Sequence, residues 1–327
     1  MRSPLLDTPG AVAAETPDAD VAGHYGDPFA EQRALLAGEA MVDRSNREVV
    51  RISGPDRLSW LNNLSSQKLD NLKPGQATQT LLLDAQGRVE HHLTLVDDGE
   101  AVWAHVEPGT AAELTAFLNK MRFMLRVEVA EVTDDYAVVS VVEAERLTLP
   151  EGAILVGDDV LLPRDLLAGR LGLKPAGLWA YEALRIEDHR PRLGFETDHK
   201  TIPHEVGWIG SALHLSKGCY KGQETVARVH NLGHPPRRLV FLHLDGSVDT
   251  LPKHGTPVVL DDGEVGFVGS AARHYELGPI ALAVVKRTVP VDATLTAGEV
   301  AATQEVIVPP DAGRNVQIDP ALRRRIR

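Results

Sequence analysis

A chain of 327 residues exceeds what one hydrophobic core usually supports, and 43% apolar with 24% charged residues is an ordinary globular composition for two or three domains. The net charge of −12 argues against general nucleic-acid binding, because a phosphate backbone is neutralised by a basic surface. A single cysteine, Cys219, excludes an intramolecular disulfide and any cluster held by four thiolates of one chain.

No stretch approaches the ~18 apolar residues of a membrane span. The N-terminus lacks a charged-then-apolar signal pattern, so a cytoplasmic protein with no membrane partner is expected. Residues 1–27, rich in Ala, Pro, Asp and Gly, read as a loosely held arm, and a short helix from Pro28 to Ala37 ends at Gly38. Glu48 to Ser53 alternates as a strand does. Gly54-Pro55-Asp56 then breaks the chain, and Leu58, Leu61 and Leu64 give the next helix one apolar face.

Thr80 to Asp84 and Val89 to Val96 pair around Ala85-Gln86-Gly87, and Ala101 to Val106 extends that sheet. A helix is predicted over Thr110 to Met121, then strands from Leu125 to Val132, Tyr136 to Val142, Ala153 to Val156 and Val160 to Leu162. Pro175 suits the first turn of a helix that Pro191 would stop. Beyond Pro235-Pro236 short strands separated by Gly, Asp and Pro predict a closed or sandwiched antiparallel β-domain. The expected segments are an arm over 1–37, a two-lobed α+β region over 38–235 and a β-domain over 236–327. The terminal Arg323-Arg324-Arg325-Ile326-Arg327 is a local basic patch, read as a solvated tail.

The run from Lys217 to Glu224 sets a thiol and a phenol between glycines and lysines, and Gln223-Glu224 open a helix through Val229. Lysines and a helix N-terminus favour a thiolate, so Cys219 with Lys217 forms a candidate reactive site. An inert cysteine beside tight turns is the plainer reading of the same residues. Neither His214 nor His230 is shown by sequence to touch the sulfur.

Lys217-Gly218-Cys219-Tyr220-Lys221-Gly222-Gln223-Glu224, with Val226-Ala227-Arg228, resembles the K-G-C-[FY]-x-G-Q-E signature of YgfZ-type proteins. That family is similar to the glycine-cleavage T-protein. Ser53 to Arg57, Leu83 to Val89, Leu184-Arg185-Ile186-Glu187 with Pro191, Gly194 and Asp198, and Glu264 to Ser270 extend the resemblance over roughly residues 40–290. The resemblance implies an α+β fold of the GcvT/YgfZ-like kind: three lobes around a central cavity, with a C-terminal antiparallel β-barrel. It also implies a tetrahydrofolate ligand and a role supporting iron–sulfur client or assembly proteins.

Within that family Glu187 occupies the position of the pterin-binding glutamate, since a carboxylate accepts two hydrogen bonds from an amino-pyrimidine edge. A surface ion pair with Arg185 or Arg190 is its plainer fate. Arg228 is a candidate for the folate tail, against an i,i+4 pair with Glu224. Tyr220, Asp84 and Arg88 are further cofactor-site candidates, the last two also being ordinary hairpin residues. One departure stands out. Where the T-protein carries a carboxylate that assists aminomethyl transfer, this chain has Glu90-His91-His92-Leu93, with His92 at the carboxylate's place. A neutral imidazole moves protons but does not stabilise a cationic nitrogen, which puts transfer in doubt. Adjacent strand histidines face opposite ways, and no metal site is expected.

Overall fold

The computed structural model describes residues 1–315. The basic tail at 323–327 lies outside the described residues. The helices are α1 (Pro28–Leu36), α2 (Arg57–Leu64), α3 (Ala111–Met121), α4 (Leu178–Glu187) and α5 (Gln223–Leu232).

One five-stranded sheet runs in the order Ala77–Leu83, Val89–Asp97, Ala101–Val106, Glu48–Ser53 and Glu128–Glu131. Alternation sends Leu93 and Leu95 to one face, where Val50 and Ile52 meet Trp60 and Leu61 of α2 and Leu114 and Leu118 of α3. The other face carries Val49, Val96 and Trp103 against Val138, Val156 and Leu161 of a second sheet. That second sheet has the order Ile154–Val156, Asp159–Pro163, Tyr136–Ser140, Ala40–Asp43 and Lys174–Ala176.

Six antiparallel strands close the third lobe into a barrel, ordered Arg237–Leu244, Gly278–Lys286, Gly263–His274, Pro257–Leu260, Leu295–Ala297 and Val300–Val306. Inside it Val240 and Leu242 pack with Ala281, Ala283 and Val285. The intervening residues Leu239, Phe241, Ile280 and Leu282 face outward onto Ala183 and Ile186 of α4. The expected choice between barrel and sandwich is therefore settled by closure. The fold is α+β with a closed C-terminal antiparallel β-barrel.

Two expectations are corrected. Residues 1–27 are no loose arm: Ser3, Val21 and Ala22 are buried, Val12–Ala13 pairs with Ala22–His24, and Asp18 is clamped by Arg192. Low periodicity marked the segment as loose, but its anchors are single buried residues rather than a repeating face. Pro175 is not in a helical first turn; it sits in Lys174–Ala176, paired in parallel with Ala40–Asp43. That strand is at the sheet's edge, where a missing N–H leaves no ladder bond unmade. Helix α4 starts only after Gly177.

Candidate functional site

A cavity of about 460 Å³ lies between the two sheets and is closed by the C-terminal end of α4. Otherwise apolar strands turn several charged residues into its wall. Ala101–Val106 presents His105 and continues to Glu107, both buried. Arg47 binds both, its Nε donating to His105 Nδ1 at 2.8 Å and its Nη1 to Glu107. Glu107 is shared with Arg192 Nε at 2.9 Å, and the Arg192 fork reaches Asp18 at 2.7 and 2.8 Å.

Across the cavity Asp159 lies 2.8 Å from His105 Nε2 and 3.0 Å from Arg44 Nη1, while Ser140 Oγ donates to it at 2.5 Å. Burial opposes charge on Asp159 and Glu107, but their arginine partners outweigh it and hold both carboxyls well below the usual range. Burial also pushes His105 down to about 4, with Arg47 and Arg44 repelling a second positive charge; Asp159 only partly opposes this. The ring is thus neutral, accepting from Arg47 and facing Asp159 with its other nitrogen.

Glu187, at the last residue of α4, lines this cavity. Neither plainer partner holds it. Arg185 is turned to Glu182 at 2.6 Å, Glu196 at 3.2 Å and Ser270 Oγ at 2.6 Å; Arg190 pairs with Asp188 at 3.1 Å. Among the described residues Glu187 and the exposed Asp158 are the wall carboxylates with no arginine within 4 Å. Gly269 is required nearby, since a Cβ there would stand 2.5 Å from Glu196 Oε1. Two of the motifs noted in the sequence, Leu184–Glu187 and Glu264–Ser270, therefore meet at Arg185 and Ser270.

His92 also lines the cavity. Its Nε2 is 3.1 Å from Gln79 Oε1, and its ring rests on Trp208 with centroids 4.7 Å apart. Burial, then the Arg47 charge, pushes it down to about 3, so it is neutral. His91 faces the other way with Leu93 and Leu95. A bulge skips Glu90 between the pairs Leu82↔His91 and Leu83↔Val89, which decides which histidine turns inward.

The remaining candidates stand outside the cavity wall. Lys217 is buried, and its ammonium caps the end of α2 and the residues after it by donating to the carbonyls of Asn62, Ser65 and Gln67. Burial brings it down to about 8. Lys221 reaches Glu90 at 3.2 Å. Both lysines flanking Cys219 are thus engaged elsewhere, while Cys219 itself is exposed. Tyr220 is buried in the core with Trp208 and Val226. Arg228 is exposed on α5, 3.5 Å from Thr225 Oγ1 rather than paired with Glu224. Asp84 shapes the hairpin by accepting from the N–H groups of Gln86 and Arg88, each at 2.8 Å. Arg88 follows in the same turn.

Close packing explains the second glycine of the cysteine motif. Gly222 has φ +84°, and a Cβ on it would come within 2.6 Å of Asp84 O and 2.9 Å of Gly87 Cα. The cysteine motif and the 84–88 hairpin are one backbone-to-backbone joint. His214 accepts from Ser216 N at 3.2 Å, and His230 is bonded to Asn315; neither is seen holding the sulfur. Among the described residues no group of three or more His, Cys, Asp or Glu is placed to hold a metal ion.

Sequence reasoning missed Arg44, Arg47, His105, Glu107, Asp159 and Arg192. The available signal was charge inside apolar strands, as in Ala101-Val102-Trp103-Ala104-His105-Val106-Glu107.

The chain is similar to known proteins over most of its length. The GCVT N-terminal domain matches residues 8–143, and the glycine cleavage T-protein C-terminal barrel domain matches residues 237–322. A chloroplastic protein of Arabidopsis thaliana is 25% identical over 310 residues, spanning 80% of this chain and 69% of its own. The aminomethyltransferase of Synechococcus sp. (strain CC9311) is 27% identical over 306 residues, 78% of this chain and 81% of its own. The crystal structure of glycine cleavage system aminomethyltransferase T from Bartonella henselae superposes with a TM-score of 0.78 at 17% identity, covering 96% of this chain and 98% of that one.

Proposed function

For a chain that carries both the GCVT N-terminal domain and the T-protein C-terminal barrel domain, we propose a tetrahydrofolate-binding protein that supports assembly or repair of iron–sulfur clusters in client proteins. The carrying observation is Glu187: a cavity carboxylate with no arginine partner, free to accept from the donor edge of a pterin. The other arginine-paired carboxylates of the wall are already satisfied and serve as frame. Tetrahydrofolate, when bound, would supply a nitrogen that accepts or gives a one-carbon unit. The chain's own part is to bind the pterin edge, orient it and exclude water.

His92 favours a supporting role over aminomethyl transfer. A neutral ring bonded to Gln79 offers no negative charge to a cationic nitrogen centre. Exposed Cys219, on a motif similar to the YgfZ-type signature, is the group a client could reach. One thiol holds no cluster by itself, so any cluster contact is shared with a partner.

Titration calorimetry with tetrahydrofolate tests the ligand. Binding by the unaltered chain is expected, and Glu187→Gln should weaken it by about ten- to a hundredfold through loss of charge-assisted hydrogen bonds. No heat at millimolar tetrahydrofolate would remove the folate reading. In cells lacking the protein, Cys219→Ala should fail to restore iron–sulfur enzyme activities, whereas full rescue would return the cysteine to an inert role. The second reading, aminomethyl transfer, is favoured by the names of the relatives. Ammonia release at an enzymatic rate from a methylamine-loaded lipoyl protein and tetrahydrofolate would establish it instead.

A further inference from the structure

Glu187 is held from an unexpected direction. His274, the last residue of the long barrel strand Gly263–His274, is buried and places Nε2 3.1 Å from Glu187 Oε2. Its Nδ1 accepts from the backbone N–H groups of Glu276 and Leu277, at 3.2 and 3.1 Å. With that lone pair used, the ring's proton sits on Nε2, the nitrogen beside the carboxylate. The backbone on either side is clamped by a fully buried side chain of α1. Gln32 donates to Arg273 O and accepts from Tyr275 N, each at 2.9 Å. The Tyr275 ring packs against it, tilted by 48° with centroids 4.6 Å apart. The imidazole is thereby held with its remaining nitrogen in close contact with a carboxylate that is itself 39% exposed at the cavity, outside hydrogen-bond geometry.

We propose that His274 is a positioning residue for Glu187, holding its carboxylate in one orientation toward the amino-pyrimidine edge of a pterin; this rests on the folate reading above. A free glutamate at a helix end would sample several rotamers, and ordering it on binding would weaken the complex. The barrel thus contributes a part to a site whose other walls come from the two sheets. Gln32 braces that part, so the N-terminal segment joins the same construction.

A double-mutant cycle read by tetrahydrofolate calorimetry separates positioning from simple fold support. Asparagine keeps an acceptor near Nδ1 but does not reach Glu187, whereas the amide nitrogen of glutamine replaces Nε2. His274→Asn is expected to weaken binding about tenfold and His274→Gln to restore most of it. In a Glu187→Gln background the His274→Asn effect should shrink below about twofold. Equal losses in both backgrounds, or a glutamine as poor as asparagine, would overturn the proposal. A ligand-free readout covers variants that do not fold: ring-nitrogen NMR of the unaltered protein should show the Nε2–H tautomer, with shifts that move in Glu187→Gln. An Nδ1–H ring, or shifts indifferent to residue 187, would sink it. An unaltered protein that binds no tetrahydrofolate, yet shows that tautomer and coupling, would fail the folate reading and keep the positioning role.

Discussion

Arg192→Ala is expected to lower stability toward urea by about 3–5 kcal/mol, the usual loss when one partner of a buried ion network is removed. Arg192 is buried and bridges three parts of the chain: Asp18 in the N-terminal segment, Glu107 at the end of the first sheet and its own loop beyond α4. Alanine would leave Asp18 with only Asn46, which donates at 2.6 Å, and Glu107 with only Arg47. Both carboxylates are buried, so losing a charged partner is poorly compensated by solvent. Arg192→Lys keeps the charge but not the fork, so a smaller loss is expected because three parallel contacts cannot all be made. Tryptophan fluorescence through urea titrations measures both variants. A loss under about 1 kcal/mol for alanine would mean that the segment is not held by this residue. An alanine variant that does not fold leaves lysine to decide the matter.

The same residue shows what sequence could and could not convey. Strand and helix positions followed from period: Leu58, Leu61 and Leu64 mark α2, and Glu48–Ser53 emerges with its predicted ends. Regularly spaced breakers marked the C-terminal β-domain but left barrel and sandwich open. Partners of isolated charges carry no such signal, because Asp18 and Arg192 are 174 residues apart and neither sits in a repeating pattern. Resemblance located Glu187, which the structure places on the cavity, but it also drew in Tyr220 and Lys217, which belong to the core and to the capping of α2. A motif of packing and a motif of chemistry look alike in one sequence when glycines serve close approach, as Gly222 does against Asp84 and Gly87. His274 had no sequence mark at all. Its role depends on a turn that spends Nδ1 on backbone N–H groups and on a strand long enough to reach α4.

Acid should destabilise the protein earlier than carboxylate chemistry alone would dictate. Burial lowers His105 to about 4, His204 to about 4 and His92 to about 3, with Arg47 adding repulsion at His92 and His105, and His230 at His204. In the unfolded chain these rings titrate near ~6.5. Between the two values the unfolded state binds more protons, so stability is full above about pH 6.5 and falls as pH drops through the folded values. For His105 the separation corresponds to roughly 3 kcal/mol, reached near pH 4. Glu107, Asp159 and Asp198, held low by arginines, contribute with the same sign, but only below the ordinary carboxylate range of about 4. Asp43 and Glu196, raised by burial, work in the opposite sense, and they do so above the ordinary carboxylate range, where they partly offset the histidines. Urea midpoints taken from pH 7.5 down to 4.5 should fall steadily from about 6.5, and a His105→Gln variant should show a shallower slope. Constant midpoints between pH 7 and 5 would mean that these rings take up protons in the fold as readily as in the unfolded chain, and that burial does not hold them neutral.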